Sequence, residues 1–173
     1  LGESAGWPDR GSKKGLMETN GFIKPHAWYI AAQYREDPIV KLTVKDSQLA
    51  DSLNQLSSSQ SMRVGFPLVD HWSFMDDPAD KEVVVFTNCS QVAIELNSNV
   101  VHTLNRNAFP DGVIKAMVPY EYGELVAHAY FQGADGQQQK VSDTLHSSSA
   151  PYALAMNSDQ QELDGKKRIV HIT

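Results

Sequence analysis

The sequence predicts a mainly β protein whose central unit is a two-sheet β-sandwich, and three observations predict it. Val92, Ile94 and Leu96, and later Leu125, Ala127, Ala129 and Phe131, recur at period two, the spacing of a strand with one buried face. Turn-forming clusters punctuate the chain at Asp76-Asp77-Pro78, Asn88-Cys89-Ser90, Asn97-Ser98-Asn99, Pro110-Asp111-Gly112 and Ala134-Asp135-Gly136. Short strands separated in this way are the pattern of a sandwich. Finally, 173 residues that are 41% hydrophobic give room for one ordinary domain with flanking pieces, and enough apolar surface to bury a core. That excludes a disordered tail.

The elements follow in order. Residues 1–23 hold several glycines and the polar run Pro8 to Gly15, the composition of a long loop. A loop of that length is expected to be functional, or to belong to a fold continued outside this chain. A helix follows, with Pro25 in its first turn and with Ala27, Ile30, Ala31 and Tyr34 on one face. Pro38 ends it. So short a helix is marginal alone and must pack on something. Ile39 to Val44 reads as a strand that links the helix to what comes next. The serine-rich stretch from Ser47 reads as a polar surface loop over 47–63, with a helical turn around Leu49 to Leu56. The sandwich is expected over 64–149. After it, Tyr152 to Met156 and Ile169 to Ile172 read as two strands around Asp164-Gly165. Two strands cannot form a stable sheet by themselves, so residues 150–173 are expected to open a second sandwich, with Ile169 to Thr173 frayed or paired to another molecule.

Composition excludes some functions. The net charge is -6 and the pI is near 5.4. Lys13-Lys14 and Lys166-Lys167-Arg168 are short, separate and expected to be solvated, so no basic face for nucleic acid is expected. The one cysteine, Cys89, permits no intrachain disulfide. It is expected to be a small, partly buried apolar residue, since no neighbouring Lys or His would activate it. No apolar run approaches the ~20 residues of a membrane span. The start, Leu1-Gly2-Glu3, lacks a Met and a signal-peptide pattern and reads as cut from a longer chain.

Three segments carry a family resemblance. Thr87 to Asn97 (TNCSQVAIELN), Val118 to Tyr130 (VPYEYGELVAHAY) and Asp70 to Phe74 (DHWSF) resemble, in order and spacing, an immunoglobulin-like accessory domain of glycoside hydrolase family 2. That family contains β-galactosidases, β-glucuronidases and β-mannosidases. Leu1-Gly2-Glu3 resembles the last strand of the family's (β/α)8 barrel, and Gly15 to Arg35, with Asn20 to Lys24, resembles its last loop and helix. The resemblance thus implies a (β/α)8 barrel remnant and linker strand over 1–46, an immunoglobulin-like β-sandwich over 64–149 and the start of another over 150–173. It also implies a bacterial, periplasmic or secreted enzyme. Two departures stand out. The stretch 47–61 is longer than expected, and Ser12-Lys13-Lys14 stands where β-glucuronidases carry Asn-x-Lys, which favours a β-galactoside-cleaving parent.

Retaining glycosidases need two carboxylates about 5 Å apart. In the family these are glutamates on earlier barrel strands, and Glu3, Glu18, Glu36, Glu82, Glu95, Glu121, Glu124 and Glu162 match neither role, so no catalytic residue is expected here. The resemblance places Glu3, Trp7 and Lys14 near the substrate in the parent, with Trp7 offering an indole face to a sugar ring. His26, His71, His102, His128, His146 and His171 show no metal-ligand spacing, and no metal or cofactor is expected. Trp28 and Trp72 are expected to anchor cores. The expected partners are the parent's barrel and neighbouring sandwiches. Two other readings remain: a carbohydrate-binding module, with Tyr120, Tyr122 and Tyr130 as its aromatic row, and a generic immunoglobulin-like protein-interaction domain.

Overall fold

The computed structural model of the chain describes residues 15–17, 21–54 and 67–149. Eight strands form two antiparallel four-stranded sheets. One has the order β2-β1-β3-β6, with β1 Val40–Lys45, β2 Leu68–Val69, β3 Lys81–Thr87 and β6 Ile114–Val118. The other has the order β5-β4-β7-β8, with β4 Gln91–Leu96, β5 Asn99–Asn105, β7 Glu124–Gln132 and β8 Gln138–His146. The sheets face each other across one core. Leu42, Val83, Val85 and Ile114 from the first sheet meet Val92, Ile94, Leu125 and Ala127 from the second, all fully buried. These are the alternating residues of each strand, so period two in the sequence became one buried face per sheet.

Trp72 closes one end of the core. It is fully buried, its indole N–H donates to the Glu121 carbonyl at 2.8 Å, and its ring lies 5.2 Å from that of Tyr120. Cys89 is buried in the same cluster, in the turn between β3 and β4.

The strand read as a linker is instead a central strand of the sandwich. β1 lies between β2 and β3 and pairs with β3 from Val40↔Thr87 to Val44↔Val83. Its Leu42 and Val44 point into the core, as alternation demands. Its partner lies some forty residues on, beyond the serine-rich stretch, so neighbourhood in sequence concealed the pairing. Within the expected polar loop, Ser47–Asn54 forms a helix, α2, whose Leu49 amide is capped by Asp46 Oδ1 at 3.0 Å. The rest of that loop, and the strands expected after residue 150, lie outside the described residues.

Side chains also join the sheets at their edges. Asp143 on β8 accepts the Leu42 amide of β1 at 2.8 Å and lies 3.3 Å from the Lys41 ammonium. On the opposite edge, His102 Nε2 of β5 donates to the Met117 carbonyl of β6 at 2.8 Å. The β4–β5 hairpin turns on Asn97 and Ser98, both left-handed at φ 49° and 67°, which matches the twist of the strands it connects. The Asn97 carboxamide oxygen accepts the Glu124 amide at 2.9 Å. It lies only 1.9 Å from where a Cβ on Gly123 would sit, and Gly123 has φ +140°, so this position takes only glycine.

Candidate docking face

The helix α1, Pro25–Tyr34, lies on the outer face of the β2-β1-β3-β6 sheet. It begins at a proline, as expected, and no side chain caps its start. Ala32 is buried, and Trp28 and Ala31 are half-buried, against Val84, Phe86 and Val113. That three-residue stripe is narrower than the one the sequence suggested. Of Ala27, Ile30, Ala31 and Tyr34, Ala31 faces the sheet, while Ile30 is 38% and Tyr34 83% exposed. The helix therefore carries two apolar faces, one on this sandwich and one open.

Residues just before the helix extend the open apolar surface. Met17 and Ile23 form an isolated antiparallel bridge, the Lys24 amide donates to the Leu16 carbonyl at 2.9 Å, and His26 Nε2 meets the Gly15 carbonyl at 2.9 Å. Leu16, Met17, Phe22 and Ile23 are all exposed there. Of eleven large exposed apolar residues among the described ones, seven fall within residues 16–34. Concentration of this kind is what distinguishes interaction surfaces from ordinary ones, where exposed apolar residues are scattered.

The connection from α1 to β1 is held by one side chain. Asn88, in the turn between β3 and β4, accepts the Ile39 amide on its oxygen at 2.9 Å. Its nitrogen donates to the Arg35 carbonyl at 3.0 Å and the Asp37 carbonyl at 2.8 Å. A flipped amide would set oxygen against two carbonyls and nitrogen against an N–H, so the partners dictate the orientation. Thr87 adds a buried bond from its hydroxyl to the Ile39 carbonyl at 2.6 Å.

Two of the clefts beside the helix are lined by strands of the first sheet. One of about 650 Å³ is bordered by Phe22, Ile23, Trp28, Lys41, Thr43 and Leu68. The other, of about 350 Å³, has Val84, Phe86 and Val113 in its lining together with Tyr29 and four charged residues. Those four are already paired, Lys45 with Glu82 and Lys115 with Asp111, each at 2.8 Å. The hydrogen bond from Lys115, with help from the Val113 amide, holds the Asp111 carboxyl below its ordinary value.

The substrate-proximal residues Glu3, Trp7 and Lys14 lie outside the described residues. The three tyrosines do not form a row: Tyr120 packs against Trp72 and Phe74 in the core, Tyr122 is exposed in the loop before β7, and Tyr130 lies half-buried on β7 opposite Lys140. Among the described residues no group of three or more His, Cys, Asp and Glu is placed to hold a metal ion, and no helix is long and apolar enough to cross a membrane. Glu95 lies 3.4 Å from His128, whose other ring nitrogen meets the Ser142 hydroxyl at 2.7 Å. This row spans three strands on the sheet's outer face.

Comparison with known proteins agrees with this architecture. A family model described as a domain of unknown function (DUF4982) matches residues 79–136, from β3 to the turn after β7. No curated protein matches. A glycosyl hydrolase family 2 member from Bacteroides cellulosilyticus has TM-score 0.68 at 24% identity, with 84% of this chain and 18% of that chain aligned. A β-glycosidase from Bacteroides vulgatus gives TM-score 0.60 at 20% identity over 90% of this chain and 16% of that one. The fold is that of a family 2 glycoside hydrolase segment. A family 2 β-glucuronidase aligns as well, at TM-score 0.54 and 22% identity over 83% of this chain and 12% of its own. The chain thus spans less than a fifth of each of these structures, and the resemblance read from the sequence holds at the level of fold.

Proposed function

We propose that this chain is a non-catalytic accessory piece of a family 2 glycoside hydrolase acting on β-galactosides. In this reading α1 and residues 15–24 are the end of the enzyme's (β/α)8 barrel, and the sandwich braces that barrel and spaces the domains after it. The observation that carries the proposal is the divided helix: one apolar face rests on the sandwich, while Ile30 and Tyr34 on the other stay open. The extent of the fold likeness supports it, because 84% of the chain is more than the sandwich alone. The arrangement of the carboxylates supports it as well. Asp77, Asp111 and Glu82 are each bonded to a lysine, and Asp143 to a backbone amide, whereas glycoside cleavage needs two carboxylates facing one bond. The scattered tyrosines favour a brace over a carbohydrate platform. Export to the periplasm or beyond belongs to the same reading.

The test is direct. Incubated with p-nitrophenyl β-D-galactoside or β-D-glucuronide, the chain is expected to release nitrophenol no faster than buffer, and turnover of either would overturn the non-catalytic role. The longer protein that contains it is expected to prefer the galactoside. A preference for the glucuronide would overturn the sugar assignment.

A further inference from the structure

We infer that Asn88 is a positioning residue that locks α1 and the sandwich into a single body, so that the rest of the barrel proposed to meet the open helix face is held at a fixed angle to the two sheets. The inference rests on the reading of that face as a docking surface. Its physical basis is the small apolar contact between the helix and the sheet. The helix has ten residues, no side-chain cap at its start and no basic residue in its last turn, and a helix of that length does not hold itself together in water. Its apolar contact with the sheet comes from Trp28, Ala31 and Ala32, a small patch that permits rolling or sliding.

Asn88 removes that freedom at the point where the helix leaves for β1. Its carboxamide takes the carbonyls of Arg35 and Asp37 and the amide of Ile39 together, at 3.0, 2.8 and 2.9 Å. Three backbone groups on both sides of Pro38 are thereby fixed to the turn between β3 and β4. The turn itself is anchored, because the Thr87 hydroxyl accepts the Cys89 amide at 3.0 Å and donates to the Ile39 carbonyl. A link that would otherwise be a hinge becomes a strut. The same residues explain why Asn follows Thr here: Asp would offer oxygen to two carbonyls, and Ser is too short to span them.

Amide hydrogen exchange on the wild-type chain, Asn88→Ala and Asn88→Asp tests the lock. In both variants the amides of α1 are expected to exchange about tenfold faster, while β4 and β7 keep their protection, as local opening requires. The Ile39 amide supplies an internal control, being exposed in N88A but still bonded to a carboxylate oxygen in N88D. Unchanged exchange in α1 would overturn the inference. So would acceleration of α1, β4 and β7 by one common factor, which would make Asn88 an ordinary stability residue. The measurement needs no partner for the helix, so its outcome is separate from that of the docking proposal.

Discussion

Asp143 does with one carboxylate what a neighbouring strand would do with a ladder. β2 pairs only with Val44 and Lys45, and the Leu42 amide further along β1 goes to Asp143 instead. Asp143→Ala would leave that amide without a partner and Lys41 without its counter-ion. Urea unfolding is expected to show a loss of about 1–3 kcal/mol, with Asp143→Asn losing less. The acid limb of stability belongs to other carboxylates. Hydrogen bonds from Lys81 to Asp77 and from Lys115 to Asp111, each aided by a backbone amide, hold both carboxyls below their ordinary values. A depressed folded pKa means that the stabilisation is complete above about pH 4 and is lost as pH falls through the lower folded value. Thermal melts between pH 5 and 2 are expected to show a shallow fall confined to the acid end, since both carboxylates are solvent-exposed, and a flatter one in Lys81→Met and Lys115→Met. Little of this was legible in sequence. Trp72 could be read as a core anchor from its type, but Asn88 and Asp143 act through partners 49 and 101 residues away, which no local pattern records.

At the scale of elements, strands buried on one face announced themselves and edge strands did not. β4 and β7 carry an unbroken inward row, whereas β8, with sequence QQKVSDTLH, buries only Leu145 fully. An edge strand needs few apolar residues, and its polar composition discourages pairing with strangers. The turns read at 97–99, 110–112 and 134–136 adjoin β5, β6 and β8, but no strand was read in those three stretches. The helix was legible in place but not in orientation, because its apolar residues cover more than one face and the sequence cannot say which meets the sheet. The docking proposal makes the consequence testable. Ile30→Asp with Tyr34→Asp is expected to leave the melting temperature of this chain within about 2 °C of wild type, as exposed positions do. Trp28→Ala, on the sheet-facing side, is expected to lower it by several degrees. A large loss from the outer pair would show that this face is already covered within the chain.

At the scale of the molecule, the two-sheet architecture and its likeness to family 2 proteins could be read from alternation and from the three quoted segments. The start of the sandwich could not. The family model begins at residue 79, and the sequence reading began it at 64, but the first sheet contains β1 at Val40–Lys45 between β2 and β3. A central strand delivered from upstream is invisible to any window that treats its neighbours in sequence as its neighbours in space.

That strand decides what can travel as a cassette. A gene segment copied from residue 64 onward would encode a sandwich with one sheet lacking its middle, leaving β3 with an open backbone flank and Val92, Ile94 and Leu125 facing a gap. Because β1 follows directly from α1, recombination that shuffles this module must cut upstream of about residue 39, and the Asn88 contacts favour carrying the helix along with it.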